Sequence, residues 1–128
     1  MTVRRHTIAV VDDDQNLREA LARLLSGFGY RVVLFASAAD FIGAAATSEV
    51  TCLIVDIYLG DTSGLDLARQ LPAAGFKFPV IFMTGSTDDT IRRQCMDLGC
   101  VAYLRKPFPE GRLIDAIRKA IGSEPQLR

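Results

Sequence analysis

The chain has 128 residues, of which 49% are hydrophobic and 23% charged, enough for one domain that buries roughly two thirds of the surface its unfolded form exposes. Fifteen basic residues balance fifteen acidic ones, so a net charge of zero leaves no electrostatic footprint for nucleic acid or an anionic membrane. No apolar run approaches the ~18 residues of a membrane span, and the basic opening residues lead straight into a short strand rather than a signal peptide, which reads as a cytoplasmic protein.

Ile8-Ala9-Val10-Val11 is a strand-length apolar run that stops at Asp12-Asp13-Asp14, and Asp14 is placed to cap a helix whose Leu17, Ala20, Leu21, Leu24, Leu25 and Phe28 recur at helical spacing. Gly27 and Gly29 stop it. Arg31 to Phe35 reads as a second strand, and Ser37-Ala38-Ala39-Asp40 matches a capping box ahead of a helix carrying Phe41, Ile42 and Ala45. The third strand, Thr51 to Asp56, ends abruptly on a carboxylate. After the loop marked by Gly60, Ser63 and Gly64, a short helix through Leu65, Leu67, Ala68 and Leu71 is ended by Pro72 and Gly75.

Pro79 opens a fourth strand, Val80 to Met83, which stops at Thr84-Gly85-Ser86. Ser86-Thr87-Asp88-Asp89 offers a cap for a helix with Ile91, Cys95 and Leu98, which Gly99 closes. A fifth strand, Val101 to Arg105, stops at Lys106-Pro107; Pro109 fits a first helical position, and Leu113, Ile114, Ile117 and Ile121 form an apolar stripe that Gly122 terminates. Five strands alternating with five helices predict a parallel sheet covered on both faces. Residues 1–128 read as a single domain, with short tails at 1–6 and 123–128. Cys52, Cys95 and Cys100 form no CxxC pair and read as small buried hydrophobes in a reducing compartment.

In an open parallel sheet, chemistry sits in the crevice beyond the carboxyl ends of the strands. Asp12, Asp13 and Asp56 all fall there, and mutual repulsion of three carboxylates raises at least one pKa unless a cation intervenes. Oxygen ligands of this kind suit Mg²⁺, with water and a substrate phosphate completing its shell. Lys106 and the Thr84 hydroxyl add positive charge and a donor for phosphoryl oxygens, and Asp56 is the candidate carboxylate nucleophile.

Taken together, Val11-Asp12-Asp13, Leu53-Ile54-Val55-Asp56, Ser63-Gly64, Met83-Thr84-Gly85 and Lys106-Pro107-Phe108 resemble the receiver domain of bacterial two-component response regulators, over essentially the whole chain. The resemblance implies a flavodoxin-like α/β doubly wound (βα)5 three-layer sandwich, with its sheet in the order 2-1-3-4-5. It implies Mg²⁺-dependent phosphoryl transfer from a sensor histidine kinase or phosphotransfer protein to Asp56. Asp13 would then bind the metal directly, Asp12 mainly through water, and Tyr58 through its main-chain carbonyl. Thr84 and Lys106 would bind phosphoryl oxygens, and the Lys106-Pro107 peptide bond would be cis. Tyr103, three residues before the lysine, takes the place of the family's switch aromatic. When Thr84 moves toward the phosphoryl group, that ring would turn inward and reshape the surface of the fourth helix, fifth strand and fifth helix.

Leu59-Gly60-Asp61-Thr62 departs from the family's proline-containing loop, and the positions tuning phosphoryl lifetime hold Tyr58 and Ser86. Segments such as Phe35-Ala36-Ser37-Ala38 resemble receivers of the nitrogen-fixation regulator type. Such a chain catalyses only its own phosphorylation and dephosphorylation. It acts either as a stand-alone receiver docking to a downstream protein or as part of a regulator with a fused effector. Homodimerisation would use the surface of the fourth helix, fifth strand and fifth helix, where Ile91 and Cys95 fall, or that of the first and fifth helices. The alternative is a receiver-like interaction module that is never phosphorylated. A haloacid-dehalogenase-type phosphohydrolase wants a second acid where Tyr58 stands, and a flavin carrier would have its phosphate repelled by the acidic strand ends.

Overall fold

The computed structural model describes residues 6–45, 49–60 and 62–122; the expected tails at 1–6 and 123–128, except for His6, and Asp61 of the divergent loop lie outside them. The elements are β1 (Thr7–Val11), α1 (Gln15–Gly27), β2 (Arg31–Phe35), α2 (Ala38–Ala45), β3 (Cys52–Asp56), α3 (Gly64–Ala73), β4 (Val80–Thr84), α4 (Asp89–Asp97), β5 (Ala102–Arg105) and α5 (Glu110–Ile121). All neighbouring strands pair in parallel, in the order β2-β1-β3-β4-β5. This is the flavodoxin-like sandwich that the motifs imply.

Alternation along the strands sorts side chains into two cores. Ile8 and Val10 of β1, Cys52 and Ile54 of β3, and Ile81 and Met83 of β4 face α1 and α5, where they meet Leu21, Leu25, Leu113 and Ile117. Ala9, Val11, Leu53, Val55 and Phe82 face the other way, onto Phe41, Leu65, Leu67, Leu71 and Cys95. Every residue of β1 and β3 is buried, which is why those runs are almost uninterruptedly apolar. The edge strand β2 is only partly covered.

Local signals set most element ends. Asp14 caps α1 by accepting from the Asn16 and Leu17 N–H groups at 2.9 and 3.3 Å. Ser37 accepts from Asp40 N–H at 3.1 Å at the start of α2, one half of the expected capping box. Asp88 caps α4 through Thr90 N–H at 2.8 Å. Gly122 closes α5 at φ +83°, a conformation that glycine adopts at low cost.

Four expectations need correction. Pro72 lies inside α3, which runs to Ala73; a proline in a last turn forfeits one hydrogen bond while keeping helical φ, and Gly75 at φ +90° makes the stop. Pro109 is the N-cap residue of α5, because its ψ of 146° is extended although its φ of −66° suits either place. His6, assigned to a tail, already joins the ladder between β1 and β2, its carbonyl accepting from Arg31 N–H at 3.0 Å. Cys95 is fully buried under the sheet and contributes nothing to a dimer face.

Cys52 and Cys95 are buried, and burial pushes both thiols up to about 12, whereas Cys100 is half-buried. Brief treatment of the folded protein with an alkylating reagent at neutral pH should therefore label Cys100 ahead of the other two. Equal labelling of all three, read by intact mass, would contradict this packing.

Candidate functional site

The strand order reverses between β1 and β3, and there the carboxyl ends leave a crevice. The ladders run one residue past the strands and hold the chain there. Asp12 N–H donates to the Phe35 carbonyl at 3.1 Å, Ile57 N–H to Met83 at 2.9 Å, and Lys106 N–H to Thr84 at 2.7 Å. The side chains that leave the strands at these points converge.

Lys106 Nζ lies 3.0 Å from Asp12 Oδ2 and 2.8 Å from Asp56 Oδ2, so one ammonium bridges acids 94 and 50 positions away in sequence. The other oxygens are held locally: Asp12 Oδ1 accepts from Asp14 N–H at 2.8 Å, and Asp56 Oδ1 from Tyr58 N–H at 3.2 Å. Asp12 has no exposed surface and Asp56 is 8% exposed, while Asp13 next door points into solvent. Carboxylate oxygens of Asp12, Asp13 and Asp56 come within 4.8 Å of one another. Three acids against one bound ammonium leave an excess of negative charge on hard oxygen donors, which fits a Mg²⁺-sized divalent cation.

Repulsion is not the main influence on Asp12. Burial raises its carboxyl pKa, the Asp14 N–H and Lys106 oppose that rise, and the charge of Asp56 adds the smallest increment. Lys106 shows the opposite balance. Its own burial would lower its pKa, but the hydrogen bonds and charges of Asp56 and Asp12 raise it overall. The difference is one of access to water, since Lys106 keeps 26% of its side chain exposed and Asp12 none.

A lysine whose folded pKa is raised stabilises the fold fully below its unfolded value, and that contribution is lost as pH climbs through the folded one. The melting temperature of the wild type should therefore fall more steeply above pH 10.5 than that of Lys106→Met. Parallel slopes in that range would mean that the two ion pairs contribute nothing to stability.

Thr84 is buried at the end of β4, with its Oγ1 accepting from Ser86 N–H at 3.0 Å. Tyr58 bridges back to Ser63 across the loop and is 54% exposed. Tyr103 sits apart from the acids. It pairs with Phe82 in register, packs on the α3–α4 side of the sheet and lines a cavity of about 240 Å³ with Arg92, Arg105 and Arg112. The Lys106–Pro107 peptide bond is cis.

Two contacts of the site escape a reading of the sequence. Arg18 Nη1 donates to the Asp12 carbonyl at 2.7 Å, tying the first turn of α1 to the acidic turn. Its position, four residues beyond the Asp14 cap, was the available signal. Gly64 presses against the main chain of Asp56, and a Cβ there would collide with the Asp56 carbonyl oxygen. The Ser63-Gly64 pair marked a loop without revealing that contact.

A family model described as the response regulator receiver domain matches residues 8–118. The response regulator protein TodT of Pseudomonas putida is 38% identical over 128 residues, covering all of this chain and 56% of that protein. The transcriptional regulatory protein FixJ of Azorhizobium caulinodans is 37% identical over 115 residues, 90% of this chain and 54% of that protein. The chain thus spans a little over half the length of these curated relatives. The crystal structure of FixJ-N superposes with a TM-score of 0.86 at 30% identity, covering 98% of this chain and 100% of that one. Full-length FixJ from B. japonicum superposes at 0.82 and 34% identity, over 92% of this chain and 60% of that chain.

Proposed function

The chain belongs to the response regulator receiver domain family, and on that footing we propose that it is a phosphorylation-controlled switch that takes a phosphoryl group onto Asp56 from a histidine kinase or phosphotransfer protein. The observation that carries this reading is the ammonium of Lys106 held between Asp12 and Asp56 at the switch point of the sheet.

Asp56 supplies the nucleophilic oxygen. As its bond to phosphorus forms, the bond from phosphorus to the donor's imidazole nitrogen breaks, and the donor leaves as neutral histidine once protonated. Negative charge on the phosphoryl oxygens meets Lys106 Nζ, already 2.8 Å from the acceptor, and the Thr84 hydroxyl at the end of the adjacent strand. Asp12, Asp13 and Asp56, with the main-chain carbonyl of Tyr58, would hold Mg²⁺, which when bound neutralises charge and orients phosphate oxygens. The Thr84 hydroxyl would leave Ser86 N–H for the phosphoryl group, vacating space toward which the Tyr103 ring turns. The α4-β5-α5 surface is then the readout, for a downstream protein, a fused effector or a second copy of the chain. No external substrate is turned over, and no helix among the described residues is long and apolar enough to cross a membrane.

Intact mass after incubation with acetyl phosphate, with and without Mg²⁺, tests the reading. One Mg²⁺-dependent phosphoryl adduct is expected, mapping to the peptide that contains Asp56. Absence of an adduct at every time point would favour an interaction module that works unphosphorylated.

Tyr58 lies exposed two residues beyond the acceptor, and on this reading its bulk limits the approach of water to the acyl phosphate. Tyr58→Asn replaces that ring with a small group able to orient water. Decay of the adduct should quicken by about tenfold, equivalent to roughly 1.4 kcal/mol of barrier. An unchanged decay rate would remove Tyr58 from control of the lifetime.

A further inference from the structure

Helix α4 ends at Asp97 with Leu98 as its C-cap, Gly99 takes φ +77°, Gly99 N–H donates to the Met96 carbonyl at 2.9 Å, and Cys100 N–H donates to the Cys95 carbonyl at 3.3 Å. These two bonds define a Schellman cap. In such a cap the first and last residues of the closure bring their side chains together, usually as an apolar contact. Here both are cysteines. We propose that Cys95 and Cys100 form a reversible intrachain disulfide under peroxide, a modification that ties the last turn of α4 to the start of β5.

A disulfide needs α-carbons roughly 4.4–6.8 Å apart, and the bond from Cys100 N–H to the Cys95 carbonyl at 3.3 Å draws these two residues together. Both side chains belong to the same apolar cluster on the α3–α4 side of the sheet. Access differs between them. Cys100 is half-buried and lines a cavity of about 150 Å³ with Phe78, Leu98 and Gly99, whereas Cys95 is closed off behind it. Cys52 lies on the opposite face of the sheet, outside this contact.

Cys100 would react first. Its sulfur attacks peroxide, the O–O bond breaks, an S–O bond forms and one water leaves. Cys95 sulfur then attacks the sulfenyl sulfur of Cys100, the S–S bond forms, the S–O bond breaks and a second water leaves. Two thiols thus supply two protons and two electrons to one peroxide. Burial keeps both thiols protonated, so the bond forms over prolonged exposure, and a dithiol reductant reopens it.

The test treats the intact chain with hydrogen peroxide, then alkylates it in guanidinium and measures mass. The expected product has lost two hydrogens and accepts one alkyl group, on Cys52; dithiothreitol restores three alkylatable thiols. Cys100→Ser and Cys95→Ser should each abolish the loss of hydrogen, and the half-buried position makes Cys100→Ser the variant that disturbs the core less. Retention of all three thiols, oxygen gained at Cys100 without a cross-link, or a cross-link to Cys52 would overturn the proposal. None of these readouts depends on phosphoryl transfer.

Discussion

Asp56→Asn should acquire no phosphoryl group from acetyl phosphate while folding as the wild type does. The amide has the shape of the carboxylate and can keep the 3.2 Å bond from Tyr58 N–H, but it offers no nucleophilic anion. Asp56 also faces Asp12 across Lys106, and its charge is among the influences that raise the Asp12 pKa. Removing that charge relieves a repulsion as well as an attraction, so the change in stability should stay within about 1 kcal/mol. The predicted result is complete loss of the adduct with a nearly unchanged melting temperature. A Mg²⁺-dependent adduct on Asp56→Asn, comparable in yield to the wild type, would place the acceptor elsewhere, with Asp13 the next carboxylate to examine. Unfolding of the variant would show instead that the Lys106 bridge holds the crevice together.

Gly64→Ala should destabilise the fold far more than its single methyl group suggests. The ideal Cβ lands on the Asp56 carbonyl oxygen, with Ile57 Cα only 3.2 Å away, and both obstacles are backbone. Gly64 N–H also donates to the Ile57 carbonyl at 2.7 Å, so the loop cannot back away without stretching that bond. Overpacking against main chain costs about 3 kcal/mol or slightly more, which for a chain of this size lowers the melting temperature by roughly 10 °C. The displaced group belongs to Asp56 itself, so phosphorylation should slow along with the loss of stability. Gly111→Ala is the matched control, because a Cβ there meets nothing within 4 Å and lies in the first turn of α5. It should be neutral or stabilise by up to about 1 kcal/mol. Equal melting temperatures for the two variants would mean that the loop yields more easily than this contact implies.

Much of the site could be read from local features, and particular residues show where such reading stops. Asp56 ends a β-branched run, and a carboxylate after a buried parallel strand points to the crevice in any fold of this class. Lys106 by itself would have passed for a solvated charge; only its place after a fifth strand drew attention to it. Its two ion pairs arise only where the ends of β1, β3 and β5 come together. The burial of Asp12 beside the exposed Asp13 was equally hidden, since two adjacent identical residues carry no local mark of which one faces inward. Arg18 was missed because its contact is with a carbonyl, and any long cation in the first turn could reach one. Cys95 fell on a surface expected to serve as a dimer face, yet it is fully buried in the core that also holds Phe82.

What the sequence by itself determined was the order and kind of the elements, their caps and stops, and the set of polar residues delivered by the strand ends. Those follow from backbone periodicity and from short-range hydrogen bonds such as Asp14 to Asn16 and Leu17, which need no distant partner. The tertiary structure alone decided which acid is buried, that one ammonium would bridge two of them, and that Gly64 would lie against Asp56. Each of these depends on strand neighbours and helix packing, in which residues far apart in the chain are brought within a few ångströms, and periodicity along one segment carries no record of what faces it.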